Sequence, residues 1–183
     1  SFGERTILRP FSFELGPNQR LGVVGGNGAG KTTLLRMILG NLEPDVGMVG
    51  VGPTVVFADI DQKRSDLDGS KTVFEEVSNG NDYVFVGGRS LRIESFLEQF
   101  LFPGQMKHAR ISSLSGGERN RVLIAKLLCA GGNVLVLDEP TNDLDLASLR
   151  ALEDALLVFP GAAIIVSHDR WFLDRVATRV VHL

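Results

Sequence analysis

The sequence predicts an α/β fold in which a mostly parallel β-sheet is covered on both faces by helices. Three short runs are largely apolar and show no alternation, which is typical of strands buried on both faces. They comprise residues 21–24, 133–137 and 162–166. Apolar residues recur at helical spacing between these runs, which predicts intervening helices. Strands that alternate with helices favour parallel pairing, because parallel strands need a long crossover connection.

Composition fits one globular domain and excludes several classes of protein. The chain has 183 residues, of which 44% are hydrophobic and 22% charged, and its net charge of −3 provides no strong basic field for nucleic acid. Its single cysteine, Cys129, excludes an internal disulfide and is expected to be a buried, inert thiol in a predicted helix. No apolar run approaches the roughly 20 residues of a membrane span, and no signal peptide is recognised. We therefore expect a cytoplasmic protein that does not insert into a membrane.

The remaining elements follow from the same patterns along the chain. Residues 6–8 and the alternating residues 11–15 predict paired strands, and hence a small antiparallel β subdomain. Residues 63–113 have weak periodicity and mixed charges, and we expect an inserted, mainly helical subdomain there. Further strands are expected at residues 46–52, 55–58 and from 180 onward, and helices at 34–39, 72–77, 93–102, 115–130, 146–159 and 170–177.

A glycine-rich loop follows the first buried strand. Residues 25–32 fit the pattern Gly, four residues, Gly-Lys-Ser/Thr, which is typical of a phosphate-binding loop. A helix follows and ends at Gly40, so the loop has the strand–loop–helix context that the motif needs. Backbone N–H groups and the helix N-terminus attract phosphate oxygens, Lys31 supplies a charge, and the Thr32 hydroxyl can bind Mg²⁺. The residues expected to contact the nucleotide are Gly25, Asn27, Gly28, Ala29, Gly30, Lys31, Thr32 and Thr33.

Two acidic residues and a histidine follow the other buried strands. Asp138 and Glu139 come at the end of the strand at 133–137, and His168 comes shortly after residue 166. Because ligands bind beyond the carboxyl ends of parallel strands, these side chains can converge with the glycine loop. A carboxylate there can hold Mg²⁺, and a second one can orient or deprotonate an attacking water.

Residues 114–118, Leu-Ser-Gly-Gly-Glu, begin the helix expected at 115–130. Ser115 and Glu118 have the spacing of a capping box, which needs no ligand. A capping box does not explain Gly116 and Gly117, since glycine in a first turn costs about 1 kcal/mol against alanine. Glycines at a helix start also let an anion approach closely, so both roles remain open.

Together these motifs resemble the nucleotide-binding domain of ATP-binding cassette (ABC) proteins. Residues 25–32 match Walker A, residues 114–118 the ABC signature, and residues 134–139 Walker B. Residues 142–145 resemble the D-loop and His168 the switch histidine. The resemblance covers almost the whole chain. It implies one cassette over residues 1–183 that lacks its first strand and the chain beyond residue 183.

The resemblance also implies residue roles that use ATP and Mg²⁺. Lys31 and the loop amides would hold the β- and γ-phosphates, while Thr32, Asp138 and Gln62 would serve Mg²⁺ and its waters. Glu139 would be the base or the water-positioning residue, and His168 would contact the γ-phosphate. Adenine would stack on Phe2. ATP bound on a second cassette would face Ser115, Gly116 and Gly117, and Asp145 would line the interface between the two cassettes.

Longer matches resemble the ABC-F family, soluble tandem-cassette ATPases of which many act on the ribosome. The stretches at residues 114–121, 138–145 and 167–174 carry this resemblance, most closely to the second cassette of the Uup and translational-throttle branches. It implies a tandem or homodimeric cassette partner, and a ribosome or branched DNA as the larger target. ATP would close two cassettes and hydrolysis would reopen them.

Alternatives stay open at this stage. The chain could be the ATPase subunit of a membrane transporter, a DNA-maintenance ABC ATPase, or an idle binding module; the short insertion and the intact Lys31 and Glu139 argue against the last two. Taken alone, Gln62 and His168 could be surface polar residues and Phe2 a plain strand residue. Trp171 and Phe172 are expected to anchor a helix in the core, and Arg119 and Arg121 to lie on a solvated face.

Overall fold

A five-stranded parallel sheet forms the centre of the computed structural model, which describes residues 7–59, 67–86, 89–142 and 144–183. The strand order is β2-β5-β6-β1-β7, and every neighbouring pair in this sheet is parallel. The strands of the chain are β1 (Arg20–Val24), β2 (Phe57–Asp59), β3 (Tyr83–Val86), β4 (Arg89–Arg92), β5 (Val134–Asp138), β6 (Ala162–Val166) and β7 (Arg179–His182). The predicted α/β class with a mostly parallel sheet is confirmed.

Six α-helices accompany these strands in the described part of the chain. They are α1 (Lys31–Ile38), α2 (Val73–Ser78), α3 (Ile93–Gln99), α4 (Gly116–Leu128), α5 (Leu146–Val158) and α6 (Arg170–Val176). Two short 3₁₀ turns, Gly104–His108 and Ile111–Ser113, lie between α3 and α4. Asp145 caps α5 as predicted, since its carboxylate accepts the N–H of Ser148 at 2.7 Å. Gly40 follows α1 with φ of +76°, a conformation that ends a helix at low cost for glycine.

The buried strands divide their side chains between two apolar clusters. In β5, Val134 and Val136 pack with α1, whereas Leu135 and Leu137 pack with helices of the opposite face. Successive side chains of a strand point to opposite faces, so a sheet covered on both sides needs apolar residues at every position. This is the physical reason for the unbroken apolar runs in the sequence.

The region between β2 and α4 packs on the second of these clusters. Phe96, Leu97 and Phe102 are each at most 2% exposed and belong to the same cluster as Val122 of α4. The carboxylate of Glu76, on α2, lies 2.5 Å from the Lys126 ammonium on α4 and is only 2% exposed. The helices predicted at 72–77 and 93–102 are present, and the boundary of an inserted subdomain at 63–113 stays a prediction.

The predicted strand pair near the N-terminus is wrong. The described residues 7–19 contain no strand, and residue 6 lies outside the described part of the chain. A tight hairpin would place Arg9 and Pro10 at its turn, where the favoured turns need positive φ, and proline cannot adopt it. The strand predicted at 46–52 is also absent: Val46 and Met48 are largely exposed, and three glycines weaken strand formation there.

The small antiparallel sheet forms instead within the insertion, where the sequence analysis expected helices. Strands β3 and β4 pair as a hairpin in which Val84 lies opposite Leu91. The missed signal is Gly87-Gly88 between two short alternating runs, a spacing that favours a two-residue hairpin connection. The two glycines themselves lie outside the described residues.

Two side chains, Trp171 and Arg121, lie where the sequence did not predict them. Trp171 is 84% exposed while its neighbour Phe172 is fully buried, because adjacent helical residues face directions about 100° apart. Arg121, expected to be solvated, is buried, with its guanidinium carbon 5.2 Å from the centre of the Phe102 ring. Arg119 is exposed as expected.

Burial raises the pKa of the half-buried Cys129 thiol to about 12, which agrees with an inert thiol. Among the described residues, no helix is long and apolar enough to cross a membrane.

The buried ion pair between α2 and α4 should contribute strongly to stability. Replacing Glu76 with Ala removes a carboxylate whose partner, Lys126, is mostly covered, and should lower the free energy of unfolding by about 3 kcal/mol. Glu94→Ala is the matched control, since Glu94 also pairs with a lysine, at 2.7 Å, but its side chain is 52% exposed. That control should cost much less in urea denaturation, because water screens an exposed ion pair. Equal losses for the two variants would contradict this assignment.

Candidate functional site

Loops at the carboxyl ends of β1, β5 and β6 meet at one edge of the sheet. They enclose a cavity of about 720 Å³, a volume suited to a nucleotide-sized ligand. The residues that line it are Ile7, Asn27, Gly28, Gly30, Lys31, Thr32, Thr33, Asp138, Glu139, Asn142 and His168. The predicted convergence of the glycine loop, the two acids and the histidine is therefore present.

The glycine loop leads into α1 without a side-chain cap. Gly30 is the N-cap residue, with φ of +100°, and no side chain bonds the first N–H groups of the helix. Such N–H groups need acceptors and attract an anion, helped by the helix dipole. A Cβ on Gly30 would lie 2.7 Å from Cγ2 of Ile7 and 2.8 Å from Cδ2 of Leu8. Both the backbone conformation and the space at this position therefore require glycine.

The Lys31 ammonium uses all three of its donors within the site. It donates to the carbonyl oxygens of Gly25 at 2.7 Å and Gly26 at 3.1 Å, and lies 3.2 Å from Nε2 of His168. An ammonium can only donate, so this contact requires Nε2 to accept and the ring proton to sit on Nδ1. Lys31 thereby connects the loop after β1 with the loop after β6.

Glu139 lies against the same histidine in an unusual backbone conformation. Its φ is +46°, and its Oε2 accepts the backbone N–H of His168 at 3.2 Å. Its Oε1 lies 3.3 Å from His168 Nε2 and receives no hydrogen bond from that nitrogen in the tautomer in which Nε2 accepts from Lys31. Accordingly, Oε1 is buried without a hydrogen-bond partner among the described residues. A buried acceptor that faces a cavity is suited to receive a proton or a water O–H.

The oxygen atoms in the cavity fit a magnesium ion better than a softer metal. Thr32 offers a hydroxyl and Asp138 a carboxylate, and both side chains line the same cavity. Within the described residues no group of three or more His, Cys, Asp or Glu side chains could hold a metal by itself. Magnesium does not need such a cage, because it is commonly bound by one or two carboxylates together with substrate phosphates.

A hydroxyl pair joins two of the three loops behind the cavity. The hydroxyl of Thr141, in the loop after β5, lies 3.2 Å from that of the fully buried Ser167 after β6. The Ser167 hydroxyl also accepts the N–H of Asp169 at 3.0 Å. These contacts fix the positions from which Glu139 and His168 project.

The signature residues lie outside this cavity. Ser115 caps α4 through a full capping box: its hydroxyl accepts the Glu118 N–H at 3.3 Å, and the Glu118 carboxylate accepts the Ser115 N–H at 2.8 Å. The Ser115 hydroxyl and N–H lower the pKa of Glu118. Ser115 and Gly116 are exposed, and Gly117 is half-buried. Their predicted role toward a second cassette stays a prediction.

The other predicted site residues have different outcomes. The N–H of Ser148 lowers the pKa of Asp145, which does not line the cavity. Gly25 contributes its carbonyl to Lys31, and Ala29 donates its N–H to the Gly26 carbonyl within the loop. Phe2 and Gln62 lie outside the described residues.

Two cavity residues were not predicted as site residues. Asn142 lies in the segment that resembles a D-loop, so the resemblance contained a signal for it. Ile7 reaches the cavity from the segment that the sequence analysis assigned to a strand pair, and its sequence neighbours carry no signal for this role.

Comparison with known proteins finds relatives over nearly the whole chain. A family model described as "ABC transporter" matches residues 8–142. The chain is 51% identical to the energy-dependent translational throttle protein EttA of Haemophilus influenzae, over 99% of this chain and 33% of that protein. It is 42% identical to the ATP-binding protein Uup of the same organism, over 95% of this chain and 27% of that protein. The chain thus spans about a third of the length of the curated relatives it matches.

Solved structures agree with this relationship. The structure of an RNase-L inhibitor is 27% identical in sequence and superposes with a TM-score of 0.66, covering 91% of this chain and 32% of that chain. Several stretches of this chain that resembled ABC-F cassettes, at residues 114–121, 138–145 and 167–174, fall within the regions aligned with the throttle protein and Uup.

The loop geometry yields a test that needs no ligand. Gly30→Ala should lower the free energy of unfolding by about 2 kcal/mol, because alanine is strained at positive φ and its Cβ would meet Ile7 and Leu8. Gly26→Ala is the matched control in the same loop, since a Cβ there would meet nothing within 4 Å. Urea denaturation of the two variants without nucleotide checks this expectation. It is contradicted if Gly26→Ala costs as much as Gly30→Ala.

Proposed function

Because the chain belongs to the ABC family of ATP-binding cassettes, we propose that it binds Mg-ATP in the cavity at the sheet edge, and that hydrolysis there drives a mechanical switch in translation. The observation that carries this proposal is the meeting of Lys31, Asp138, Glu139 and His168 in one cavity beside the uncapped start of α1. A phosphate-binding loop alone would support binding only, whereas the acid and the histidine supply groups for chemistry.

Nucleotide binding rests on the glycine loop in this proposal. The free N–H groups at the start of α1 receive phosphate oxygens, and Lys31 leaves the Gly25 and Gly26 carbonyls to contact the outer phosphates. Thr32 and Asp138 would hold Mg²⁺, with Gln62 and Phe2 assigned to Mg²⁺ and adenine by the family resemblance alone. Bound Mg²⁺ would neutralise part of the phosphate charge.

Glu139 is the proposed base or water-positioning residue. Its Oε1 has no hydrogen-bond partner among the described residues, while Oε2 is held by the His168 N–H. One oxygen thus fixes the carboxylate and the other remains to accept a proton from an attacking water. Once Lys31 turns to the phosphates, the imidazole of His168 is released to contact the γ-phosphate.

A second cassette completes the proposed site. The Ser115 N–H is held by Glu118, whereas the N–H groups of Gly116 and Gly117 in the first turn of α4 favour an anion, yet none of these three residues lines this chain's own cavity. In the proposal they face ATP held by another cassette, and Asp145 lines the interface. The relatives are about three times as long as the chain, which leaves room for a tandem cassette.

The cellular role is proposed from the relatives' names. Proteins about half identical to this chain are translational throttle proteins, which supports a role on ribosomes in the cytoplasm. The likeness to Uup makes a role on branched DNA the alternative that the experiment below separates.

Glu139→Gln should separate binding from hydrolysis. The variant keeps the shape and loses the base, so hydrolysis should fall about 10²- to 10⁴-fold, while Mg-ATP still raises the melting temperature as in the parent. Lys31→Ala is the contrasting variant, in which that thermal stabilisation should be lost. Turnover of Glu139→Gln near the parent rate would assign the base elsewhere.

The same variant tests the cellular role. Carrying Glu139→Gln, the product of the gene that encodes this cassette should sediment with ribosomes in the presence of Mg-ATP and not in its absence. Sedimentation with branched DNA and not with ribosomes would replace the proposed role with the alternative.

Ser115→Arg tests the second cassette. With Mg-ATP, Glu139→Gln should move this chain from monomer to dimer by light scattering, and adding Ser115→Arg should abolish that dimer while leaving the melting shift with Mg-ATP in place. Met48→Arg is the control for added charge, because the Met48 side chain is 91% exposed and does not line the cavity. A dimer that tolerates Ser115→Arg would contradict the composite site.

A further inference from the structure

An exposed pair of aromatic rings lies on the hairpin of β3 and β4, away from the nucleotide cavity. Tyr83 is 53% exposed and Phe85 64% exposed, and no residue of either strand lines the cavity. The aromatics are two residues apart on β3, so both lie on the same face of the hairpin. The function proposed above makes no use of this face.

The hairpin alternates strictly between a core face and this exposed face. Val84 is 5% exposed and belongs to the core cluster, and its cross-strand partner Leu91 packs against the same cluster. These two residues supply the packing that holds the hairpin to the domain. The aromatic rings on the other face are therefore not needed for the core.

Polar and basic residues complete the exposed face on β4. Arg92 lies directly opposite Tyr83, and Ser90 directly opposite Phe85; both are exposed. Arg92 makes no hydrogen bond or ion pair with the residues that the structure describes, whereas the neighbouring Glu94 is held by Lys107 at 2.7 Å. This leaves a basic side chain beside two rings, and we define the ribbon face as Tyr83, Phe85, Ser90 and Arg92.

Charge around the ribbon face favours a negatively charged partner. Arg92 is the charged residue among the four of the ribbon face, so the face itself carries one positive charge, while Lys107 pairs with the nearby Glu94. This local excess of positive charge contrasts with the chain's net charge of −3. A protein-docking patch of pure apolar character would need neither the arginine nor the serine.

We infer that the ribbon face binds unpaired RNA bases, which stack on Tyr83 and Phe85 while Arg92 contacts the phosphate backbone. Exposed aromatics on β-strands beside basic residues are a general means of binding single-stranded RNA, because every base offers a π face. Residues two apart on a strand are separated by about 7 Å, so each ring can accept its own base. The choice of RNA as the partner rests on the translational role proposed above; the face itself stands on its own geometry.

The test uses the chain with a fluorescein-labelled, unstructured 12-nucleotide oligouridine and fluorescence anisotropy. Replacing both rings, as in Tyr83→Ala with Phe85→Ala, should weaken binding at least tenfold. Ser90→Ala is the matched control on the same face and should change affinity less than twofold. Arg92→Ala should reduce the slope of log affinity against log salt by about 0.7, as expected when one phosphate contact to a single strand is lost.

A second double variant distinguishes the loss of base stacking from misfolding of the hairpin and from the loss of apolar surface. Tyr83→Leu with Phe85→Leu keeps apolar area on the hairpin and leaves Val84 and Leu91 untouched, but removes the π faces. It should melt near the parent temperature and bind RNA at least fivefold more weakly. Parent-like RNA affinity in the leucine variant would overturn the inference, because RNA binding would then not depend on the π faces of Tyr83 and Phe85.

A direct optical readout follows from the composition. Tyr83 is the only tyrosine and Trp171 the only tryptophan of the chain, so Trp171→Phe leaves Tyr83 as the sole emitter beyond phenylalanine. Oligouridine should quench that emission by stacking, and absence of quenching at saturating RNA would overturn the inference. If quenching is absent while the Glu139→Gln protein still sediments with ribosomes in Mg-ATP, only the RNA face is wrong. If oligouridine quenches Tyr83 while that protein does not sediment with ribosomes, only the proposed translational role is wrong.

Discussion

The parallel register of β1, β5 and β6 is the constraint on which the rest of the molecule depends. Val23 and Asp138 are both paired with Val166, so the three strands end at the same level. The loops that follow these strands therefore begin at the same edge of the sheet, where they bring Lys31, Glu139 and His168 together. Such a sheet needs helices on both faces, and this need dictates both the apolar runs and the helices that begin at that edge.

Two residues with positive φ adapt the edge to its proposed chemistry. Gly30 turns the loop into α1 and leaves the first N–H groups without a side-chain cap. Glu139 adopts φ of +46° and turns its carboxylate back toward His168. A non-glycine residue in this region costs about 1–3 kcal/mol, which the parallel pairing on either side of it sustains. The strain thus falls on the residue proposed to act on water, as is common at functional sites.

Sequence patterns predicted the elements whose environment is uniform along their length. The runs at 133–137 and 162–166 are buried throughout, so hydrophobicity alone identifies β5 and β6, and Asp145 and Ser115 act as the caps that their spacing predicts. Patterns failed where a long-range partner decides. Residues 11–15 alternate like a strand yet form no strand pair in the described chain, and Arg121 is buried beside the ring of Phe102, which lies 19 residues earlier in the sequence.

The cavity could be predicted because each of its main residues directly follows a predicted strand. The orphaned Oε1 of Glu139 could not, since it depends on a loop conformation that no periodicity encodes, whereas the resemblance of residues 142–145 to a D-loop contained an unused signal for Asn142. The exposed face of the β3–β4 hairpin was not predicted either, for a different reason. Its alternation is only four residues long on each strand, too short to distinguish from the weakly periodic segment around it.

Two proposed binding regions lie outside the cavity, the ribbon face and the start of α4. Packed side chains connect them. The hairpin packs on α3, whose Phe96 and Leu97 share a core cluster with Val122 of α4. Helix α2 joins α4 through the pair of Glu76 and Lys126, and the buried Arg121 guanidinium lies over the Phe102 ring about one and a half turns from the α4 start. A force on the ribbon face therefore acts through packed side chains on the same helix that carries Ser115. In the proposed mechanism the start of α4 faces ATP on a second cassette, so both proposed binding regions belong to one packed unit, and coupling between them would require a two-state element that both of them bias.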